Sequence, residues 1–241
     1  MKDIKGKIVC IIPARGGSKG IYKKNLLPLA GKPLIAWSIE QANSSKYLRN
    51  QVYVTSDSDE ILNVAVEFGA NKIVRPEGIS GDFSTSESAL LHALGKIHES
   101  MEEILLVVFL QATSPLREVK DIDNAIETAV QGRYDSLFST TELHDFFIWS
   151  YGNEGKLESL NYDYRNRKRR QDVKKQYVEN GSIYVFKPEI LIRDGNRLGG
   201  EIGISVMDPW KVHEIDTMDN VELCEFYMRK KILKQGFAQN E

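Results

Sequence analysis

The sequence predicts an α/β fold: an open, mostly parallel twisted sheet with helices on both faces. Two observations carry this. Apolar runs of strand length alternate with stretches of helical period over most of the chain, and one run, EILLVVFLQ (103–111), is apolar almost without a break. An unbroken run is what a strand covered on both faces requires, and β–α alternation is the order that builds a parallel sheet.

In chain order, KIVCII (7–12) reads as a buried strand and KPLIAWSIEQANSS (32–45) as a helix, with Leu34, Ile35, Trp37, Ser38 and Ile39 on one face. QVYVTSD (51–57) is a strand and SDEILNVAVEFG (58–69) a helix stopped by its glycine. NKIVRP gives a short strand, 84–97 a helix, 103–111 the central strand and 119–130 another helix. Between about 139 and 176 aromatics and charges mix without a period. Regular order returns with strands at 176–186 and 204–207 and a closing helix at 219–233. The chain therefore reads as one domain, 1–241, with an excursion at 140–176.

A formal net charge of −2 provides no global field for nucleic acid or membrane, so neither partner is expected. No segment reaches the ~20 apolar residues of a membrane span, and the apolar run at the N-terminus is too short for a signal peptide. Two cysteines, Cys10 and Cys224, sit in apolar and helical surroundings and are expected as buried thiols. A cytoplasmic protein is the expectation.

In open parallel sheets, ligands sit outside the carboxyl ends of the strands. The loops there are PARGGSKG, TSDSD, RPEG and QATSPLR. The first belongs to IIPARGGSKGIYKKN (11–25), which joins two adjacent glycines to Arg15, Lys19, Lys23 and Lys24. Glycine-rich backbone lets N–H groups converge on an anion, and the cations add charge-assisted hydrogen bonds of roughly 1.5–3 kcal/mol each. A ligand with several negative charges fits, although the loop matches neither G-x-x-x-x-G-K-[ST] nor G-x-G-x-x-G.

Together with PLAGKPLIAWSIEQA, QATSPLR and EIDT, this loop resembles the N-acylneuraminate cytidylyltransferase (CMP-sialic acid synthetase) family over residues 8 to about 220. The resemblance implies a Rossmann-like nucleotidyltransferase fold. It also implies transfer of CMP from CTP to an acidic sugar, with Mg²⁺ as cofactor and release of pyrophosphate. Arg15, Lys19 and Lys24 would handle the triphosphate, with Ser18 and the Gly16–Gly17 backbone lining it. Asn25 and the Ala14–Arg15 backbone would meet base and ribose. Arg75 matches a nucleotide-contacting arginine; a salt bridge at the sheet edge is its other reading. Ser86 matches a nucleotide-contacting serine at a helix start, where anions are favoured. Gln111 would orient the attacking sugar hydroxyl, being neutral and a poor base. Arg117 would tie down its own loop. The catalytic set implied is Arg15, Lys24, Gln111 and Asp216.

For the metal, Asp216 is the main ligand and Glu214 an auxiliary, because Glu214 stands where the family carries the first aspartate of a D-x-D pair. In the basic run RNRKRRQDVKK (165–175), the resemblance gives Arg170 and Gln171 to the sugar, and Tyr184 on the following strand faces the same pocket. The other cations read as a solvated face. The excursion would reach a partner subunit, so a homodimer is expected. Where sialic acid enzymes commonly carry an aromatic pair this chain has Arg197 and Leu198, which suggests a relative such as legionaminic or pseudaminic acid.

Three other readings stand beside this one. A CMP-Kdo synthetase keeps the chemistry and changes the sugar. A metal-dependent glycosyltransferase would use the DSD triplet, Asp57 to Asp59, although Ser58 or Asp59 also suits a helix cap. A non-catalytic nucleotide-binding module would bind CTP only.

Overall fold

The computed structural model describes residues 7–18, 20–143 and 146–235, without the side chain of Arg170. In chain order the strands are β1 (Ile8–Pro13), β2 (Pro28–Leu29), β3 (Lys32–Pro33), β4 (Val52–Ser56), β5 (Asn71–Val74), β6 (Leu106–Leu110), β7 (Ser136–Glu142), β8 (Trp149–Tyr151), β9 (Leu157–Ser159), β10 (Tyr177–Phe186) and β11 (Ile202–Met207). The helices are α1 (Leu34–Asn43), α2 (Asp59–Glu67), α3 (Ser86–His98), α4 (Val119–Gly132), α5 (Pro188–Asp194) and α6 (Met218–Tyr227).

Seven strands form one sheet in the order β11-β7-β10-β6-β1-β4-β5. β1 lies between β4 and β6, parallel to both, and β11 is parallel to β7. β10 alone runs against its neighbours β6 and β7. The pleat of β1 divides the core. Ile8, Cys10 and Ile12 pack with Ile35 and Ile39 of α1, Leu62 of α2 and Ile126 of α4. Val9 and Ile11 pack on the other face with Leu90 and Leu94 of α3 and Leu191 of α5. The chain winds from β1 through β4 to β5, then crosses back to β6 on the far side of β1. That reversal opens a crevice at the carboxyl ends of β1 and β6, where such folds bind ligands.

β7 appears where the sequence shows no period. Apart from Leu137, its covered positions are Ser136, Ser139, Thr140 and Thr141. Partners meet two of these hydroxyls, Ser136 donating to the Gly199 carbonyl at 2.8 Å and Ser139 to Asn180 Oδ1 at 2.6 Å, whereas Thr140 Oγ1 is buried without a partner among the described residues. The PLAGKP motif is a two-residue hairpin, β2–β3, turning at Ala30 and Gly31 with φ of 47° and 91°. The closing helix ends at Tyr227 and continues as one wide π turn through Ile232. Residues 143–176 leave the sheet from the end of β7 and return at the start of β10. They carry the β8–β9 ribbon, whose residues are mostly exposed.

Cys10 and Cys224 are both buried and unbonded to each other. Burial pushes the Cys10 thiol far up and raises Cys224 to about 12, so neither is a ready nucleophile. Among the described residues, no helix is long and apolar enough to cross a membrane.

Candidate active site

At the crevice lies a cleft of about 300 Å³, lined among others by Arg15, Gly17, Ser18, Lys24, Asn25, Arg75, Ser86, Phe109 and Gln111. Residues from β1, β5, α3 and β6 thus converge, although they are spread over about a hundred positions. Helix α3 begins at the cleft, with Thr85 as its cap accepting from the Ser88 N–H at 3.2 Å. Ser86 opens its first turn, where unpaired backbone N–H groups favour an anion.

Each cation of the cleft is held by an acid. Arg15 donates to Asp82 at 3.2 Å and to the Gly81 carbonyl at 3.3 Å. Lys24 pairs with Asp216 at 2.9 Å, and Arg75 with Asp57 at 3.3 Å. Arg75 is nearly covered, and burial lowers its pKa against the opposing pull of Asp57. Its Nε is buried without a hydrogen-bond partner among the described residues. Asn25 bridges the loop to itself, donating to the Arg15 carbonyl at 3.0 Å. Ala14 is buried and fixes the strand end through its N–H to Thr55 O at 3.0 Å. Gly16 stands behind the lining, its N–H donated to Asp57 at 2.9 Å. Lys19 lies outside the described residues.

Asp57 therefore serves the loop rather than joining Asp59, which is exposed in the first turn of α2 behind the Ser58 cap. Among the described residues there is no cluster of three or more His, Cys, Asp or Glu that could hold a metal.

Gln111 directly follows β6, and its position is set from below. Arg117 is fully buried and donates to the Gln111 carbonyl, to Ser182 at 3.0 Å and to Ser38 at 2.7 Å. Burial lowers Arg117 only to about 10, so it keeps its charge at neutral pH. Beside Gln111, the chain of β10 bulges at Gly181, with φ of 62°. A Cβ built there would stand 1.7 Å from Glu214 Oε1 and 3.1 Å from Gln111 Nε2. Gly181 thus admits the Glu214 carboxylate next to the Gln111 amide. Burial and the neighbouring Asp216 charge raise the Glu214 pKa. Asp216 is largely exposed, and its backbone carbonyl touches Gly20 so closely that a Cβ there would meet it at 2.8 Å. The two carboxylates flank the cleft next to Lys24 rather than lining it.

Tyr184 pairs with Phe109 across β10 and β6, their rings stacked at 5.2 Å. Its hydroxyl donates to Glu179, and burial together with that bond pushes its pKa well up. The Arg197 guanidinium lies over Tyr184 at 4.4 Å and Phe109 at 5.5 Å and pairs with Glu87. Arg197, Glu87 and Glu179 escaped the sequence reading as a group; no spacing links them, since they come from three elements. Within one chain, Gln171 does not reach the cleft. It lines a separate hollow of about 480 Å³ in the excursion, with Phe146, Phe147, Tyr162 and Arg167. The side chain of Arg170 lies outside the described set.

Comparison with known proteins finds relatives along most of the chain. The family model described as Cytidylyltransferase matches residues 9–206. N-acylneuraminate cytidylyltransferase A of Danio rerio is 37% identical over 95% of this chain, which spans only 52% of that protein's length. Pseudaminic acid cytidylyltransferase of Campylobacter jejuni is 33% identical, with 91% of this chain and 95% of that one aligned. Post-translational flagellin modification protein B of Campylobacter coli is 30% identical, over 95% and 97%. In fold, the chain is similar to CMP:2-keto-3-deoxy-manno-octonic acid synthetase solved with CTP, at TM-score 0.68 and 16% identity over 94% of this chain and 100% of the other. It is also similar to 4-diphosphocytidyl-2C-methyl-D-erythritol synthase of Anaerococcus prevotii, at TM-score 0.65 and 13% identity over 94% and 97%. With a family match over residues 9–206, most of its length, the chain belongs to the cytidylyltransferase family.

Proposed function

We propose that the protein transfers CMP from CTP to the anomeric hydroxyl of an acidic nonulosonic sugar, releasing pyrophosphate with the help of Mg²⁺. The observation that carries this is the convergence of Arg15, Lys24, Arg75 and the glycine loop on one cleft that also holds Gln111. The sugar hydroxyl gives up its proton to water, its oxygen forms the new bond to the α-phosphorus, the bond from that phosphorus to the bridging oxygen breaks, and pyrophosphate leaves with the electron pair. Three cations and α3's first turn offset the charge on the phosphates, which is the main requirement of phosphoryl transfer. Gln111, fixed through Arg117, orients the hydroxyl.

Asp216 and Glu214 offer the hard oxygen ligands that Mg²⁺ takes alongside phosphates and water. Bound there, the ion would neutralise phosphate charge as the pyrophosphate departs. Lys24 shares Asp216 with that role, so a metal and the lysine would be held by one carboxylate.

The relatives differ in the sugar their names carry, one an N-acylneuraminate and another pseudaminic acid. The Arg197–Glu87 pair on the Phe109–Tyr184 floor supports a relative of sialic acid with a polar substituent there. The excursion supports a homodimer. Phe146, Tyr151, Leu157 and Leu160 are exposed along it, an apolar surface of the kind that marks an interface. In such a dimer Gln171 and Arg170 would serve the neighbour's sugar site. A cytoplasmic location fits a reaction that consumes CTP.

The test is pyrophosphate release with CTP, with and without Mg²⁺, offering N-acetylneuraminic, legionaminic and pseudaminic acids and Kdo separately. Release with CTP and a nine-carbon acid other than N-acetylneuraminate, abolished by chelation and by Asp216→Ala, is expected. Preference for N-acetylneuraminate would refute the sugar assignment; release with Kdo alone, or none from folded, CTP-binding protein, would refute the reaction. Light scattering of the intact protein should give the mass of a dimer.

A further inference from the structure

Asp57 is the residue of the DSD triplet that the proposed reaction leaves without a task. Its carboxylate is well placed for one. A single oxygen, Oδ1, accepts the Gly16 N–H at 2.9 Å and Arg75 Nη2 at 3.3 Å. Those two donors belong to the two sides of the phosphate end of the cleft: the glycine loop after β1 and the loop after β5. The loop also packs tightly there, since a Cβ on Gly16 would stand 3.0 Å from Ser58 Cβ. Arg75 has only 6% of its side chain exposed, and its Nε has no partner among the described residues. A buried guanidinium with an unspent donor, anchored by one edge, is a part-filled fork waiting for a second acceptor.

We infer that Asp57 is a positioning residue for the triphosphate: it sets the glycine loop and Arg75 at one fixed separation, so that both meet the phosphates without rearranging. This rests on the reading of the cleft as a CTP site. A carboxylate near an anion site also repels the anion, so the inference has a definite sign to be tested. Preorganisation predicts that losing Asp57 weakens the phosphates' hold; simple repulsion predicts that it strengthens it.

The experiment measures binding of CTP by calorimetry, and of cytidine by ligand-detected magnetic resonance, to the intact protein with Mg²⁺ and no acceptor sugar. Cytidine carries base and ribose but no phosphate. The variants are Asp57→Asn, which is isosteric, and Gly16→Ala, which keeps every charge and only pushes the loop off Ser58. In both, the CTP dissociation constant should rise about tenfold, ~1.4 kcal/mol, while that of cytidine stays within about twofold. In an Arg75→Gln background, Asp57→Asn should cost CTP markedly less, because half of what Asp57 holds is already gone. Unchanged or tighter CTP binding in Asp57→Asn would overturn the inference, as would an equal loss for cytidine, which would mark general loosening. Wild-type protein that holds cytidine as tightly as CTP would overturn the reading of the cleft itself. Gly16→Ala keeps the test alive should Asp57→Asn fail to fold.

Discussion

Substituting Gly181 separates two effects that glycine usually confounds. Gly181 and Gly195 share nearly the same positive φ, 62° and 63°. A side chain in that left-handed region costs about 1–2 kcal/mol. At Gly195, the C-terminal cap of α5, an added Cβ meets nothing within 4 Å; at Gly181 it would stand 1.7 Å from Glu214 Oε1. A Cβ approaches no heavy atom closer than about 3.0 Å, so the carboxylate must retreat by at least about 1.3 Å. The obstacle is the far end of a flexible side chain, so it swings away at little cost in stability. Gly181→Ala and Gly195→Ala should therefore lose similar stability, each lowering Tm by about 2–8 °C for a chain of this size. Their activities should part. A displacement of 1 Å at a reacting centre costs on the order of 100-fold, so kcat should fall about that far in Gly181→Ala and stay within about twofold in Gly195→Ala. KM for CTP should hold in Gly195→Ala, whose glycine lines no part of the cleft. Calorimetric melting and steady-state pyrophosphate release would measure this. A Gly181→Ala enzyme with near-normal kcat would refute the claim that Glu214's place beside Gln111 matters.

Lys211 is fully buried, with Asp121 at 2.8 Å, Glu118 at 2.7 Å and Asp208 at 3.3 Å. Burial alone would lower its pKa, but Asp121 and Glu118 raise it. Lys211→Met leaves buried acid unpaired and should cost about 3–5 kcal/mol in urea unfolding, much of it recovered by adding Asp121→Asn and Glu118→Gln. No cost would show the cluster to be solvated. Arg117→Lys keeps the charge but not the fork; the orphaned Ser38, Ser182 and Gln111 groups should cost about 2–4 kcal/mol in the same assay. Glu214 has a raised folded-state pKa, so the folded protein binds its proton more tightly than the unfolded chain does. Stability should fall as pH rises from the ordinary carboxylate value, ~4.3, through the raised one. Glu214→Gln should thus raise Tm at neutral pH, with the gain vanishing in acid; a gain independent of pH would refute the charge argument.

The strands that position the site were legible where burial on both faces demands aliphatic side chains, as in β1 and β6. β7 was not, because Ser136, Ser139, Thr140 and Thr141 fill covered positions with hydroxyls. The antiparallel sense of β10 leaves no mark in its own residues, since the pleat is the same in either direction. Within the site, the glycine loop was visible as chemistry, and Gln111 as a polar residue ending an apolar run. The counter-charges were not, because Lys24 meets Asp216 across 192 positions and Arg197 meets Glu87 across 110. Lys211 shows the limit most clearly: a lysine in a sequence reads as surface, yet three acids make it part of the core.

The reversed direction of β10 has a consequence for how this architecture varies. A parallel successor to β7 would have needed a crossover back to the sheet's other end. Because β10 starts at the edge where β7 stops, residues 143–176 are an enlarged hairpin loop whose two feet sit on paired residues, Glu142 and Tyr177. Lengthening such a loop is thermodynamically cheap, about 0.6 kcal/mol for each doubling. Insertions or deletions there change the arm and its own hollow while strand register, glycine loop and cations stay as they are. Chains that share this sheet and glycine loop can thereby differ in the arm through changes in length alone.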